Sequence, residues 1–294
     1  MLSKISPLQW LIHAYFAALT LVMLLPLILI ISVSFTNELT LSTEGYRFIP
    51  SQFSLAAYKT LFEAPGILLN AYGVTILVTV LGTACGLLLT SMLAYTISRP
   101  DYRYRRITTL FVFFTMLFNG GLVPFYILIT QYLHLKDTLG ALILPYLISP
   151  FLVMVMKGFL EKIPLEIIES AKMDGASEFR IFFTLILPLS TPALATVGLF
   201  ISFTYWNDWW LGLLFIDAEK LVPLQLLLYR VMNSIEFLRS NTEFMSTMTI
   251  DMSQFPNLSA RMAMAILGAG PMLFIFPFFQ KYFVRGLTVG SLKG

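Results

Sequence analysis

Six long apolar runs divide the chain, and polar segments separate them. Each run exceeds the roughly 18 residues that are typical of a membrane-spanning helix. At about 1.5 Å per residue, a helix built from one such run is long enough to cross a hydrocarbon core about 30 Å thick. The pattern predicts an all-α polytopic membrane protein with six transmembrane helices, at about 10–35, 70–97, 107–130, 139–160, 193–216 and 259–283.

The composition indicates the same lipid solvent. Of the 294 residues, 57% are hydrophobic and 12% are charged, and mean hydropathy is +0.81, whereas soluble domains carry about 25% charged residues. The first run is too long for the apolar core of a signal peptide, so we expect it to remain as a span. Cys85 is the single cysteine and has no internal disulfide partner. The whole chain, 1–294, is predicted to be one transmembrane domain.

The distribution of basic residues predicts the orientation of the spans. The tightest basic cluster, RPDYRYRR at 99–106, lies in a short loop, where the excess of Lys and Arg on the cytoplasmic side is most reliable. Both termini and the segment 161–192 are therefore predicted to be cytoplasmic. The outer segments 36–69 and 217–258 are predicted to form short helices. The basic residues are spread over short loops and form no nucleic-acid-binding patch, so the expected surroundings are a lipid bilayer.

The segment 161–192 is too polar to lie in lipid, because each charge near a bilayer centre costs about 2.5–3.5 kcal/mol. Its apolar residues nevertheless recur at helical spacing on both sides of Gly175. Glycine at that point is typical of a helix end in a left-handed conformation. The pattern predicts two short amphipathic helices joined by a tight turn. They would either lie on the membrane surface or dock into the groove of a partner protein.

The stretch ESAKMDGASEFRIFFTLILP at 169–188 carries a specific resemblance. Membrane subunits of bacterial ABC importers have a cytoplasmic motif of Glu-Ala-Ala, three residues, Gly, nine residues, then Ile-x-Leu-Pro. This chain keeps every spacing, with Ser170 in place of the first alanine and Leu185 in place of the isoleucine. We call residues 161–192 the coupling loop, because in that family the equivalent loop seats a coupling helix in the ATPase subunit.

The resemblance implies which residues of the 163–188 region would contact an ATPase. They are Glu169, Ala171, Asp174, Gly175, Phe179, Phe182, Phe183 and Pro188; the three phenylalanines would pack either into the ATPase groove or against neighbouring helices. The chain has no G-x-x-x-x-G-K-[ST] phosphate loop. This chain is therefore expected to bind no cofactor, with ATP and Mg on the partner ATPase.

Other parts of the chain resemble the maltose-type carbohydrate permeases. The ending at 277–294 is similar to a C-terminal tail that reaches between two ATPases, and Lys281, Arg285 and Lys293 suit such a tail (284–294) or, more simply, the membrane surface. FNGGLVPFY at 118–126 is similar to the subgroup that handles oligosaccharides from alginate or pectin. The resemblance implies a second homologous permease subunit as a heterodimer partner, two ATPase subunits, an extracytoplasmic solute-binding protein and an oligosaccharide substrate.

Polar and aromatic residues within the spans are candidates for the substrate path, because polar groups facing lipid are costly. If the fifth span is one helix, Trp206 and Trp210 share a face with Asn207 beside them. Aromatic faces and amides suit a sugar, although Trp and Tyr also collect in the outer membrane interface. Asn119 interrupts the third span, either to expose backbone groups or as a packing kink. The candidates are Tyr205, Trp206, Asn207, Asp208, Trp209, Trp210 and Asn119.

Two other function classes remain to be weighed. An ion-coupled secondary transporter of a polar solute would need coupling carboxylates near the bilayer midplane, and Asp208 is the one clear acidic candidate within the predicted spans. An intramembrane enzyme would need a motif such as H-E-x-x-H or G-x-S-x-G, and the chain has neither. His13 and His134 stand alone in sequence, so no metal site is predicted. The expected function is transport, not catalysis.

Overall fold

The computed structural model describes residues 7–63, 65–240 and 257–291. Within these ranges the chain is helical, and pairing between extended segments is limited to one antiparallel bridge between Thr36 and Phe53. The chain divides into two compact units. The first comprises Met1–Leu68 and Leu228–Pro271, and the second comprises Leu69–Leu227 and Met272–Gly294.

The first unit begins with a long apolar helix and two short ones. The helices are α1 (Pro7–Ser34), α2 (Glu38–Glu44) and α3 (Ala56–Leu61). Asn37 caps α2 by accepting a hydrogen bond from the Leu39 amide at 2.9 Å. The Phe35 ring stacks on Tyr58, with ring centroids 4.9 Å apart. These contacts fold the predicted outer segment back on the end of α1, so short helices form there as expected.

The second unit starts within α4 (Pro65–Ser98), a helix of 34 residues that contains the whole predicted second span. Shorter helices follow up to the start of α14, which, like α4, has residues in both units. They are α5 (Arg105–Leu117), α6 (Leu122–Ile127), α7 (Leu139–Ile143), α8 (Pro150–Leu160), α9 (Leu165–Met173), α10 (Glu178–Ile181), α11 (Leu187–Leu189), α12 (Thr191–Trp206), α13 (Trp210–Phe215) and α14 (Leu224–Ser240). Leu128–Tyr132 and Phe182–Ile186 are π-helical, and Leu144–Tyr146 and Glu219–Leu221 are 3₁₀ turns.

The last helix, α15 (Leu258–Ser291), has an acidic cap from a distant part of the chain. The Glu38 carboxylate accepts hydrogen bonds from the Leu258 amide at 2.9 Å and from the Ser259 amide at 3.1 Å. Two first-turn amides and the positive end of the helix dipole are thereby satisfied. Of the predicted tail residues, Lys281 and Arg285 lie on α15, and Lys293 lies outside the described residues.

Glycines on α4 bring it into close contact with neighbouring segments of the second unit. A methyl group added at Gly82 would overlap the ring of Tyr205 on α12, and one at Gly86 would lie 2.9 Å from the carbonyl oxygen of Leu147. The Tyr205 hydroxyl donates to the Ile143 carbonyl at 2.7 Å. Small residues allow helices in lipid to approach until dispersion contacts and hydrogen bonds hold them.

Several predicted spans are not single straight helices. In the part of the chain that the structure describes, three helices are each long and apolar enough to cross a membrane, and up to six spans result if each of three bent helix pairs counts as one span. The predicted third span, 107–130, bends by 110° between α5 and α6. The predicted fourth span, 139–160, bends by 48°, and the predicted fifth span, 193–216, is interrupted between α12 and α13. The interruption of the third span at Asn119 was anticipated, whereas the break within the fifth span was not, because hydropathy responds to apolar length and not to backbone direction.

The bend in the third predicted span has a local cause. Gly121 has φ +89°, a conformation that glycine adopts without a steric penalty. The Asn119 side-chain oxygen accepts from the Gly121 amide at 2.8 Å, which closes a turn of the Asx type. Pro124 then lies in the first turn of α6, where a missing amide proton costs little. A bend of this size exceeds a packing kink within one helix.

Candidate docking loop and aromatic surface

The coupling loop folds as the predicted pair of short helices. α9 ends at Met173, and Gly175 follows with φ +75°. Its amide donates to the Lys172 carbonyl at 3.0 Å, and the Ala176 amide donates to the Ala171 carbonyl at 3.0 Å. These bonds satisfy the last carbonyls of α9, as in the glycine-terminated helix ends of many proteins. The sequence signal from Gly175 was therefore sufficient to locate this turn.

One side of the coupling loop is buried within the chain and the other is exposed. The buried side carries Ile168, Ile181, Phe182 and Ile186. The exposed side carries large apolar residues beside the turn: Met173 is 88% exposed, Phe179 67% and Phe183 47%. The loop is thus anchored from one side and offers an uncovered apolar surface on the other. On the surface of a soluble protein, a cluster of large exposed apolar side chains is typical of an interaction site.

The predicted docking residues separate into exposed and buried groups. Glu169, Asp174, Gly175 and Pro188 are exposed, and Ala171 is half-buried. Phe182 is 3% exposed and packs against Tyr95 with ring centroids 5.5 Å apart. Of the two roles that the sequence left open for the phenylalanines, Phe182 therefore takes the internal one.

Sequence reasoning missed two features of this region. Met173 was not selected, although an apolar residue directly before a polar turn is a usable signal. Arg99 and Asp101 were treated only as part of a basic cluster that sets orientation. In the structure both carry specific ion pairs, and the side chain of Arg99 is 7% exposed. No periodicity in the sequence links them to the coupling loop, because the contact joins segments about seventy residues apart, as in the Lys172–Asp101 pair.

The aromatic segment TYWNDWW at 204–210 is not one continuous helix. α12 ends at Trp206, Asn207 caps it, and α13 starts at Trp210. Tyr205 and Trp206 are each 3% exposed, whereas Trp210 is 40% exposed. The prediction that Trp206 and Trp210 share one helical face was therefore wrong. Asn207 is an exposed residue whose amide donates to the Phe203 carbonyl at 2.9 Å, which helps to end α12.

Asp208 lies in the interruption and is largely engaged by the protein itself. Its Oδ1 accepts from the Tyr146 hydroxyl at 3.0 Å and from the Leu211 amide at 3.4 Å. A carboxylate at this position caps the start of α13 and joins it to the end of the 3₁₀ turn before α8. The same contacts give Asp208 a structural role that the sequence did not indicate.

The exposed part of the segment is a pair of tryptophans. Trp209 is 38% exposed, and its ring meets that of Trp210 edge to face, with centroids 5.7 Å apart. We call Asn207, Trp209 and Trp210 the aromatic surface. Of the remaining candidates, Asn119 is exposed, but its side-chain oxygen is engaged in the turn at Gly121. Two apolar faces beside an amide are typical of sites that bind small polar molecules.

Comparison with known proteins identifies the family. Residues 10–289 match the family model described as the binding-protein-dependent transport system inner membrane component. The chain belongs to this family. The match covers nearly the whole sequence, so it includes the coupling loop and the aromatic surface alike.

Individual relatives agree with the family assignment. Protein LplC of Bacillus subtilis (strain 168) is 37% identical over 271 residues, which are 92% of this chain and 90% of LplC. The polygalacturonan/rhamnogalacturonan transport system permease protein YtcP of the same organism is 36% identical over 284 residues, 97% of each chain. A solved structure, of a bacterial ABC transporter involved in the import of the acidic polysaccharide alginate, has a TM-score of 0.78 and 26% identity, and covers 96% of this chain and 99% of that one.

These findings confirm the resemblance that the coupling-loop motif carried. The chain is a permease subunit of a carbohydrate ABC importer, a helical multi-pass protein of the inner membrane, and it is not an enzyme. The family is defined by dependence on a binding protein. The docking surface, the route of the cargo and the orientation of the termini remain predictions at this point.

Proposed function

We propose that this permease forms half of a translocation path for an acidic oligosaccharide and docks a separate ATPase through its coupling loop. A second homologous permease forms the other half, two ATPases bind ATP and Mg, and an extracytoplasmic binding protein delivers the cargo. Both termini and the coupling loop face the cytoplasm. The observation that carries the docking proposal is the exposed apolar pair Met173 and Phe179 beside a turn that is anchored from behind.

The coupling loop suits a protein partner better than a lipid surface. Its exposed apolar residues flank the turn, and Glu169 and Asp174 lie exposed next to them. A helix lying on an anionic membrane usually carries basic residues on its polar face. Acidic groups beside an apolar tip favour insertion of the turn into a groove of a folded partner, as in helix-in-groove recognition.

A single cysteine at Met173 tests docking and orientation together. In a Cys85→Ser background, Met173→Cys is expected to react only with a thiol reagent applied from the cytoplasmic side. Because ATPase docking would cover this side chain, the labelling rate is expected to fall about tenfold or more in the assembled importer. The measurement is the rate of maleimide labelling in inverted and right-side-out vesicles, with and without the ATPase.

The control is a cysteine at Ser42, on the exposed part of α2 in the predicted outer segment. It should react only from the outer side and at a rate that the ATPase does not change. Labelling of Met173→Cys from the outer side would refute the orientation. An unchanged labelling rate in the assembled importer would refute docking at this turn.

The aromatic surface is the proposed contact for the cargo. Trp209 and Trp210 offer partly exposed rings to the C–H patches of a sugar, and Asn207 offers an amide group. An acidic cargo raises the question of repulsion by Asp208. That carboxylate accepts hydrogen bonds from Tyr146 and from a backbone amide, and these dipoles offset part of its negative potential. The relative named for polygalacturonan/rhamnogalacturonan transport and the solved transporter involved in alginate import support the choice of an acidic oligosaccharide.

Substitutions in the aromatic surface are expected to change transport without changing assembly. Trp210→Ala and Asn207→Ala should each raise the KM for uptake of labelled trigalacturonate about fivefold to tenfold, because about 1–1.4 kcal/mol of binding is lost. Trp206→Ala is the contrasting variant: it removes a buried ring, so it should lower thermal stability and complex yield. Uptake kinetics are measured in proteoliposomes, with maltotriose as a neutral comparison. Unchanged kinetics in both exposed-residue variants would assign these residues to the membrane interface.

The ion-coupled alternative has lost its main support. It required a carboxylate available for a coupling ion, and Asp208 was the candidate within the spans. In the structure that carboxylate caps α13 and accepts from Tyr146. The family description names dependence on a binding protein, and this feature favours ATP-driven import over ion-coupled transport.

A further inference from the structure

A buried arginine lies at the end of α4, next to the coupling loop. Arg99 follows the last residue of α4, and its side chain is 7% exposed. Its Nε and Nη2 donate to the two carboxylate oxygens of Asp101 at 2.9 and 2.6 Å. A buried guanidinium is stable only when its charge and donors are matched, and this paired geometry meets that requirement. Arg99 is therefore held in one position relative to α4.

Residues on both sides of the Gly175 turn contact the Arg99–Asp101 ion pair. Lys172 lies three residues before Gly175, and Glu178 three residues after it. The Lys172 ammonium lies 2.9 Å from Asp101 and 2.7 Å from Glu178. Glu178 also accepts from the Tyr95 hydroxyl at 3.0 Å and lies 3.8 Å from Arg99. Lys172 and Glu178 therefore link the two sides of the turn to each other, and both contact residues at the end of α4 or directly after it.

The charges of this cluster are fixed over the physiological pH range. The hydrogen bond from Arg99 holds the pKa of the Asp101 carboxyl well below its usual range, although partial burial opposes this shift. The hydrogen bond to Glu178, followed by that to Asp101, raises the pKa of Lys172. Asp101 is therefore ionised and Lys172 protonated at any pH near neutrality, so the cluster is a permanent link and not a pH switch.

An apolar contact runs parallel to the ion pairs. Tyr95, one turn before Arg99 on α4, packs its ring against the buried Phe182. Farther along the same helix, Gly82 lies against Tyr205 of α12. If the coupling loop moved and α4 moved with it, the contact between Gly82 and Tyr205 would therefore transmit the movement to α12. α12 leads directly to Asn207 and the aromatic surface.

We propose that Arg99, Asp101, Lys172 and Glu178 form a polar joint that fixes the coupling loop to α4 and makes the two move as one body. The inference rests on the proposed ATPase contact of that loop. These four are positioning residues: they touch neither cargo nor nucleotide, and they act through the turn and through α4. Without the joint, the loop would still carry its exposed apolar residues, and the ring contact between Tyr95 and Phe182 would still link it to α4.

Lys172 is the residue to replace, because it is partly exposed and its loss leaves the ion pair between the buried Arg99 and the exposed Asp101 intact. In the complete importer in proteoliposomes, Lys172→Met is expected to lower the ratio of sugar imported to ATP hydrolysed about fivefold or more. Lys172→Arg, which keeps the charge, should restore most of that ratio. Lys162→Met removes an exposed lysine of the same loop outside the cluster and should leave the ratio unchanged. Uptake uses whichever of labelled trigalacturonate or maltotriose the unsubstituted importer carries.

The outcomes separate a joint from a merely structural contact. If Lys172→Met lowers uptake and ATP hydrolysis in equal proportion, so that the ratio is unchanged, the joint is refuted. A ratio that falls equally in Lys172→Met and Lys172→Arg would also refute it, since the charge would then have no role. Failure of the underlying ATPase contact is seen independently, in an importer that keeps Lys172, as undiminished labelling of Met173→Cys on assembly.

Discussion

Replacement of Gly175 by valine is expected to abolish most transport while leaving the membrane part of the chain folded. Gly175 has φ +75°, and a side chain there would meet no atom within 4 Å. The penalty is therefore one of backbone conformation, about 1–3 kcal/mol for a β-branched residue in this region. If the turn shifts to relieve that strain, Met173 and Phe179 change their relative position. Uptake in proteoliposomes should fall about tenfold or more.

Two further variants distinguish docking from general strain. Gly175→Asn should keep more uptake than Gly175→Val, because asparagine tolerates the left-handed region better than other residues. Gly45→Val also introduces backbone strain, but outside the coupling loop, since Gly45 has φ +75° with open space around it. It should leave ATP hydrolysis by the assembled importer unaffected. If Gly175→Val retains full uptake and full stimulation of ATP hydrolysis by the binding protein, the turn does not dock an ATPase.

The apolar pattern predicted where the chain is helical, but it could not predict where helices bend. The second predicted span, 70–97, lies within α4, because a long apolar run without a break forms one continuous helix. The third predicted span contains Asn119 and Gly121, which are equally compatible with a kink and with a reversal of direction. The turn of 110° follows from the positive φ of Gly121 and from the hydrogen bond that Asn119 accepts, and residue type alone specifies neither of them.

The candidate sites show the same division between local and tertiary information. The turn at Gly175 follows from nearby residues, so the sequence located it. Spacing alone suggested a shared face for Trp206 and Trp210, yet Asp208 caps a new helix between them and the face is lost. The burial of Phe182 and Arg99 depends on α4, about eighty residues earlier than Phe182. A helical pattern in one segment does not contain that information.

Gly82→Ala is expected to destabilise the permease, even though alanine is normally the better residue in a helix. The added methyl group would overlap the Tyr205 ring, which is itself held by a hydrogen bond to the Ile143 carbonyl. Overpacking of this kind costs about 1–3 kcal/mol, which corresponds to a decrease in Tm of about 2–5 °C for a chain of this size. Gly73→Ala is the matched control on the same helix, because a methyl group there meets no atom within 4 Å. It should leave Tm unchanged or raise it, since replacing glycine by alanine within a helix stabilises by about 0.5–1 kcal/mol.

Thermal unfolding of the purified protein in detergent measures the Tm of both variants. Equal Tm values for the two variants would mean that α4 and α12 do not pack through Gly82 and Tyr205, and the route from the coupling loop to the aromatic surface would then lack its second contact.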